Sequence, residues 1–275
     1  MERTTKPGLS VIVTWCNRTE LALTLDKNSE ILNQHDAEVV IVNCGGSEAD
    51  FAEVLAGPKP RRIQPVHVDT QIFNKALAIN LGASVARSDR LFFLDADVIL
   101  KEDFLDAAFE VLAAQRCFTV LRVFESKPQQ LPVTDQLDEM SYSISFVARN
   151  GRQATGAVMR RFREGSRNAP GLVVLNREHF LRVGGMNADL QGYGWEDRDL
   201  LFRLQFALGI EELSAGAVIH LSHGDEVRHE AWRNTAKSEQ ENFAVCMKNY
   251  RAGYYFGTYQ DDLVVWKDKF TASEP

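Results

Sequence analysis

The sequence predicts an α/β protein in which a mostly parallel central sheet is flanked by helices. Over the first hundred residues, short apolar runs alternate with segments whose apolar residues recur every three or four positions, which is typical of strands alternating with helices. Strands connected in this way form βαβ units and run parallel. The chain has 275 residues, 45% apolar and 25% charged, enough to bury a core in one large domain or two small ones.

The elements follow from the apolar pattern in chain order. In the first half we predict strands at 9–14, 38–43, 63–68 and 91–94, and helices at about 21–32, after an N-cap at Ser47, and at 73–86. In the second half we predict strands at 118–124, 171–175 and 215–220, and helices at 102–115, 176–183, after Asp199 and at 230–250, followed by an aromatic tail.

The segment 125–170 breaks this pattern. It is polar and rich in arginine, so we predict a solvated insertion or flexible loop rather than a recognition surface. If the segment is functional, it is a lid or the place where a second substrate is chosen.

Polar residues follow the predicted strands at 14–18, 43–46, 69–73 and 95–97. Because ligands bind beyond the carboxyl ends of parallel strands, these four loops should converge on one site. Asp95 and Asp97 are two positions apart and therefore project to the same side of an extended segment. Two neighbouring buried carboxylates need compensation, and a divalent cation that prefers oxygen ligands would provide it.

Composition excludes several classes of protein. The formal net charge of -7 argues against a nucleic-acid surface. No apolar run approaches the ~20 residues of a membrane span, and the first eight residues contain no signal-peptide core. The four cysteines are far apart and predict separate thiols in a reducing compartment. We therefore expect a cytoplasmic protein, either free or at the inner face of a membrane; the oligomeric state is left open.

Four motifs occur in an order that resembles the nucleotide-sugar glycosyltransferases of the GT-A fold, of family 2 type with galactosyltransferase-like C-terminal motifs. The motifs are Ser10-Val-Ile-Val-Thr14, Phe73-Asn74-Lys75-Ala76 with Asn80-Leu81-Gly82-Ala83, Asp95-Ala96-Asp97, and Gly184-Gly185-Met186 followed by Gly192-Tyr-Gly-Trp-Glu-Asp197. The resemblance covers roughly 9–225. It implies a single domain with a Rossmann-like sheet, a nucleotide-binding half at about 1–100, an acceptor-binding half at about 101–225, and a C-terminal helix and tail at 226–275.

The resemblance also implies a metal site. Expulsion of a diphosphate requires a Lewis acid, typically Mn²⁺ or Mg²⁺ in this family. Asp97 would be the first ligand, and Asp95 would share the metal or hold the ribose. His220 fits the family's late metal histidine, His223 is the competing register, and Asp225 stands close by.

In the same family pattern, Asp197 would be the general base that takes the proton of the acceptor hydroxyl, and Glu196 would hydrogen-bond the acceptor. This arrangement implies direct displacement with inversion. Tyr193, Gly194 and Trp195 would line the acceptor site, although packing is an equally good explanation of Trp195.

The nucleotide-sugar donor is expected over the first strand ends. The expected donor-binding residues are Thr14, Asn17, Arg18, Asn43, Asn74, Lys75, Asp95, Ala96 and Asp97, with Lys75 near the phosphates. Many relatives carry an Asp-rich turn where this chain has Asn43-Cys44-Gly45-Gly46, so the base stays open, with uridine favoured. The expected donor is a UDP-linked hexose or N-acetylhexosamine, and the acceptor is a saccharide or another hydroxyl compound.

Three other functions compete with this one. A nucleotidyltransferase would carry a Gly-rich basic loop near the N-terminus, and 11–18 has none. A phosphatase that used Asp95 as its nucleophile would need a Thr soon after Asp97, where Val98 stands. A non-catalytic carbohydrate- or nucleotide-binding domain of the same fold is the remaining alternative, and the intact acidic pairs argue against it.

Overall fold

The computed structural model describes residues 6–127, 137–223 and 235–273. The strands are β1 (Leu9–Trp15), β2 (Ala37–Cys44), β3 (Ile63–Val68), β4 (Arg90–Asp95), β5 (Val98–Leu100), β6 (Cys117–Glu125), β7 (Glu139–Val147), β8 (Gln153–Arg161), β9 (Ser166–Asn176), β10 (Glu212–His220) and β11 (Phe270–Ala272). The helices are α1 (Glu20–Gln34), α2 (Glu48–Leu55), α3 (Lys75–Val85), α4 (Phe104–Ala113), α5 (Arg177–Arg182), α6 (Glu196–Arg203), α7 (Thr235–Arg251) and α8 (Tyr259–Trp266). A π-helical turn (Leu204–Leu208) continues α6.

The strands form a mixed central sheet of order β11-β3-β2-β1-β4-β9-β6-β10-β5, and the β7–β8 hairpin is attached through β9. The strands β3, β2, β1 and β4 run parallel, as the alternation of strands and helices predicts. β9 lies antiparallel to both β4 and β6, which joins this parallel half to the second half. The predicted α/β class with a Rossmann-like central sheet is therefore confirmed.

The core lies on both faces of the sheet. Val11 and Val13 of β1 pack with α1, α2 and α4 on one face, whereas Ile12 of the same strand packs with α3 and α5 on the other. Alternate side chains of a strand point to opposite faces, so strands covered on both sides read as continuous apolar runs. This explains why the central strands are recognisable from the sequence.

Of the two alternatives predicted for 125–170, the flexible loop is wrong for the residues that the structure describes, whereas the largely exposed β7 is consistent with a solvated insertion. β6 reaches Glu125, 139–161 form the β7–β8 hairpin, and β9 begins at Ser166. β7 alternates serine with apolar residues, which is a strand pattern of period two, although its high polarity resembles that of a loop. The remaining part, 128–136, lies outside the described residues.

Other element boundaries also differ from the prediction, among them the start of α6 at Glu196 and of β10 at Glu212. The helix predicted from 73 starts at Lys75, because the Asn74 side chain accepts a hydrogen bond from the Leu77 amide at 3.0 Å and caps the helix. The long helix predicted from 230 is described from Thr235 onward, and 230–234 lie outside the described residues. The C-terminal tail packs on the domain, since Tyr259 is buried and β11 pairs with β3.

Across the described ranges, no helix is long and apolar enough to cross a lipid bilayer.

Candidate active site

The turn after β4 carries Asp97 to the ends of two later strands. Val98 of β5 pairs with His220 of β10, and His220 pairs in turn with Glu125 at the end of β6. The amide of Leu221 donates to the Asp97 carbonyl at 2.7 Å and fixes the chain beyond the strand. Residues more than a hundred positions apart therefore meet at one edge of the sheet.

Asp97, His220 and His223 form a group with the chemistry of a metal site. Asp97 Oδ2 lies 3.5 Å from His220 Nε2 and 3.2 Å from His223 Nε2, and one ligand atom from each residue lies within 4.8 Å of the others. One carboxylate and two imidazoles suit Mn²⁺ better than Mg²⁺, which prefers oxygen ligands and water. The sequence offers His220 and His223 as alternative metal ligands, and in the structure both lie next to Asp97. Asp225 lies outside the described residues.

Glu125 orients His220. Its Oε2 lies 2.8 Å from His220 Nδ1 and accepts a hydrogen bond from Ser222 Oγ at 3.0 Å. The hydrogen bond with Asp97 raises the pKa of His220 to about 9, against the opposing effect of burial, and Glu125 adds to the rise. A carboxylate on one ring nitrogen is the usual support of a metal-binding histidine, because it aims the other nitrogen at the ion.

Lys75 joins the two acidic motifs. Its Nζ lies 3.2 Å from Asp95 Oδ1 and 3.2 Å from Asp197 Oδ2. Burial alone would lower the pKa of Lys75, but Asp197, Asp95 and Glu196 together raise it above its ordinary value. Burial also raises the pKa of Asp95, although Lys75 opposes this effect. Asp95 thus pairs with Lys75 and stands outside the group of Asp97 and the two histidines.

Glu196 and Asp197 occupy the first turn of α6. Burial, reinforced by the neighbouring Asp197 charge, raises the pKa of Glu196 to about 7. The Glu196 Oε2 atom is buried and accepts no hydrogen bond from any residue within the described ranges. A buried carboxyl group with an oxygen that lacks a hydrogen-bond partner among the described residues is a candidate contact for a polar ligand.

Gly171 of β9 makes room for the Lys75–Asp197 pair. A Cβ atom at this position would lie 2.4 Å from Asp197 Oδ2 and 3.0 Å from Lys75 Nζ. Any larger residue would therefore displace the ion pair. The sequence predicts a strand here but gives no sign of this close approach.

The predicted donor residues divide into two groups. Asn43 and Asn74 are engaged within the protein: the Asn43 amide bonds to Gly46 and Glu48, and the Asn74 side chain caps α3 and donates to the Ala188 carbonyl at 2.8 Å. Asn17 accepts from the Ser47 amide at 2.7 Å. These contacts hold the loops in which the three residues lie.

Arg18 differs from these residues. Its Nη1 atom is buried and has no hydrogen-bond partner in the described part of the chain. Burial raises the pKa of Asp97, but His220 and the charge of Arg18 lower it, so the guanidinium lies within electrostatic reach of the group of Asp97, His220 and His223, which we call the metal-type group. A buried guanidinium nitrogen beside such a group suits a phosphate oxygen. Thr14 is largely buried at the end of β1, and Ala96 is buried in the turn.

The predicted acceptor residues lie in a turn whose conformation is constrained. Trp195 has a φ of 73°, and its ring packs against Phe243 of α7 at 4.8 Å between centroids. Packing against α7 therefore explains the presence of an aromatic ring at Trp195 at least in part. Tyr193 is 45% exposed beside it, and Gly194 has a φ of 97°.

Solved structures share this fold. The mannosyltransferase PcManGT of Pyrobaculum calidifontis, solved with GDP-Man and Mn²⁺, matches with a TM-score of 0.55 and 20% identity over 89% of this chain and 65% of its own. The S. aureus TarS 1-349 structure matches with a TM-score of 0.50 and 14% identity over 78% of this chain and 60% of its own. The chain thus spans less than two thirds of the length of either protein. The shared architecture identifies the fold class of this chain as GT-A.

The sequence profile described as "Glycosyltransferase like family 2" matches residues 10–243, and the chain belongs to that family. The matched range includes β1 through the first half of α7. It therefore contains the acidic turn after β4, the Glu196–Asp197 pair and both histidines.

Proposed function

We propose that this protein is an inverting, divalent-metal-dependent glycosyltransferase that moves a sugar from a nucleoside diphospho-sugar to an acceptor hydroxyl. One observation carries the proposal: Lys75 joins Asp95, two residues from the metal-type ligand Asp97, to Asp197, the predicted base. A group suited to a metal and diphosphate thus lies next to a group suited to proton removal. Transfer from a sugar nucleotide needs both.

On the donor side, Asp97, His220 and His223 would hold the ion. When bound, a divalent metal would supply Lewis-acid stabilisation of the departing diphosphate. Arg18 and Lys75 would contribute fixed positive charge to the same phosphates, and the Nη1 of Arg18, unpaired among the described residues, would donate a hydrogen bond to one phosphate oxygen. Asp95 would then hold the ribose or share the ion.

On the acceptor side, Asp197 would take the proton of the attacking hydroxyl. The hydroxyl oxygen forms a bond to the anomeric carbon while the bond from that carbon to the diphosphate oxygen breaks, and the proton passes to an Asp197 carboxylate oxygen. Glu196, with its open Oε2, would hydrogen-bond the acceptor. A single displacement inverts the anomeric configuration, so an α-linked donor gives a β-linked product.

The nucleobase of the sugar donor is to be identified by experiment. The Asn43–Gly46 turn lacks the acidic residues that many relatives place there, and the Asn43 side chain is engaged in the turn itself. A UDP-linked hexose or N-acetylhexosamine is the first donor to test. GDP-linked sugars come second, because a solved structure of similar fold was obtained with GDP-Man and Mn²⁺.

The first experiment measures thermal shifts with UDP, GDP and CDP, each with and without Mn²⁺. We expect one nucleotide to stabilise the protein only when the metal is present, by the linkage of binding to folding. Release of that nucleoside diphosphate from its sugar conjugates then identifies the donor. Metal-dependent binding without any transfer would favour a non-catalytic binding domain.

The second experiment replaces the base. Asp197→Asn should lower turnover by about 10²- to 10⁴-fold, the usual contribution of a general base, and leave metal-dependent nucleotide binding largely intact. Asp189→Asn, at an exposed carboxylate a few residues earlier, is the matched control and should keep full activity. Unchanged turnover in Asp197→Asn would contradict the assigned role.

A further inference from the structure

The turn that precedes Glu196 and Asp197 is held in a costly conformation. Gly192, Gly194 and Trp195 have φ angles of 76°, 97° and 73°. A tryptophan in the left-handed region is strained, and such backbone persists only where its surroundings determine it. Some other part of the molecule must therefore stabilise the turn.

The helix α7 supplies this stabilisation through Asn242, which is 4% exposed. Its side-chain amide nitrogen donates to the carbonyl of Gln191 at 3.0 Å and to the carbonyl of Gly194 at 2.8 Å. The two carbonyls lie on either side of the bend, so one side chain spans it. This contact comes from a residue about fifty positions away in sequence.

Ser238, one turn earlier on α7, holds the middle of the same turn. The Tyr193 amide donates to its hydroxyl at 3.2 Å, and the hydroxyl lies 3.1 Å from the Tyr193 carbonyl. A Cβ at Gly194 would lie 3.3 Å from the Glu239 side chain, so the helix approaches the turn closely. α7 thus contacts the turn from Gln191 to Gly194.

The turn sets the start of α6. The carbonyl of Trp195 accepts from the Asp199 amide at 2.7 Å, and the helix begins at Glu196. A shift of the turn would move Glu196 and Asp197 directly. We infer that Asn242 is a positioning residue for the transfer reaction: it fixes the carboxylates of Glu196 and Asp197 without touching substrate. This inference rests on the proposed function.

The docking of α7 does not depend on Asn242 alone. Two turns further along, the Tyr250 hydroxyl donates to Asp199 Oδ1 at 2.9 Å, and Cys246 is fully buried between these two contacts. The helix therefore keeps its anchor on α6 when the Asn242 amide is changed. Substitution at 242 should loosen the turn locally and leave the fold in place.

The test uses the full chain and two variants. Asn242→Asp keeps the shape of the side chain but faces both carbonyls with acceptor oxygens, and Asn242→Ala removes the donor without adding charge. Gln240→Glu, the same kind of change at an exposed position of α7, is the control. Four quantities are compared with wild type: amide hydrogen exchange of 191–199, metal-dependent nucleotide binding, and kcat and KM for transfer.

In both Asn242 variants we expect exchange of 191–199 to quicken at least tenfold, kcat to fall about 10- to 100-fold, and donor KM and nucleotide binding to change less than twofold. A displacement of about 1 Å at a reacting group has effects of this size. Gln240→Glu should match wild type in every measurement.

Unchanged exchange at 191–199, an unchanged kcat, or faster exchange spread evenly over the chain would each overturn the inference. Failure of the proposed function is a separate result, since a wild-type protein that transfers no sugar shows it directly. The local exchange measurement still decides in that case whether Asn242 holds the turn.

Discussion

Asp97 and Asp197 lie at the same edge of the sheet, but their surroundings handle a buried carboxylate in different ways. Asp97 faces His220 and His223, and the His220 ring is supported from behind by Glu125. Asp197 shares Lys75 with Asp95, and Glu196 is close enough to act on the same lysine. The first group can exchange its protons for a metal ion, whereas the second depends on one lysine.

Because of this difference, the two groups should respond to different changes. Imidazoles are neutral metal ligands once deprotonated, so the group of Asp97, His220 and His223 should respond most to divalent cations. Asp95, Glu196 and Asp197 around Lys75 should respond most to loss of that lysine, and Glu196 should respond to pH. Each of the following experiments changes one group and measures whether the other is affected.

Loss of the shared lysine should have the largest effect on stability. Lys75→Met leaves Asp95 and Asp197 without their ion pair. Breaking a fully buried pair from one side costs about 3–5 kcal/mol, and because the Asp95 side chain is 42% exposed we take the low end, about 3 kcal/mol. We expect a decrease of that order in the free energy of unfolding at pH 8, measured by urea denaturation. Mn²⁺ affinity should change much less, because Lys75 does not contact the group of Asp97 and the two histidines.

Lys101→Met is the control for this change. Lys101 is exposed and lies over the Phe124 ring, 4.8 Å from its centroid, so its loss should alter stability by less than about 0.5 kcal/mol. If Lys75→Met is as stable as Lys101→Met, the three carboxylates are not held by the lysine, and the contrast between the two groups fails.

Substitution of Glu125 tests the metal-type group. Glu125→Gln weakens the support of His220 Nδ1, and loss of such a support commonly lowers metal affinity 10- to 100-fold. We expect a decrease at the lower end of this range, measured by calorimetric titration with Mn²⁺. Stability of the metal-free protein at pH 8 should change little compared with Lys75→Met.

The matched control is Glu139→Gln, at an exposed carboxylate on β7 that pairs with Arg161. It should bind Mn²⁺ as wild type does. Equal affinities in Glu125→Gln and Glu139→Gln would show that Glu125 does not support a metal ligand.

The same comparison shows how far the sequence could lead. The N-terminal half of the sheet is predictable because its strands are buried on both faces and their apolar runs are continuous. Asp97, Asp197, His220 and His223 are recognisable because chemistry-bearing residues stand at strand or helix ends. Their meeting in two groups is set by the order of the strands, which no local pattern contains.

Glu125, Asn242 and Gly171 could not be found in this way. Glu125 stands at the end of a strand whose continuation resembles a loop, and Asn242 is one of several polar residues on a helix that is exposed over much of its surface. Gly171 matters only because Lys75 and Asp197 approach it from distant parts of the chain. The alternation of serine with apolar residues in β7 does predict a strand, since a period of two indicates a strand even where many of the residues are polar.

The smaller of the two predicted effects on stability is the pH dependence of Glu196. Its pKa is raised from 4.5 to about 7 by burial and by Asp197, so the folded protein keeps a proton that the unfolded chain has already lost between these values. Stability therefore falls as pH rises from about 4.5 to about 7, and the full cost of ionisation is present above that window. Glu196→Gln removes this cost and should raise the free energy of unfolding by about 1–3 kcal/mol at pH 8.

The pH trend separates this effect from a general stabilisation. The advantage of Glu196→Gln over wild type should shrink at pH 5, where Glu196 is protonated in the folded protein, and urea unfolding at pH 5 and pH 8 measures both values. Glu178→Gln, at a 76% exposed carboxylate on α5, should show no such trend. An equal gain at both pH values would mean that Glu196 is not held as a buried acid, and the dependence of this group on Lys75 would then concern Asp95 and Asp197 alone.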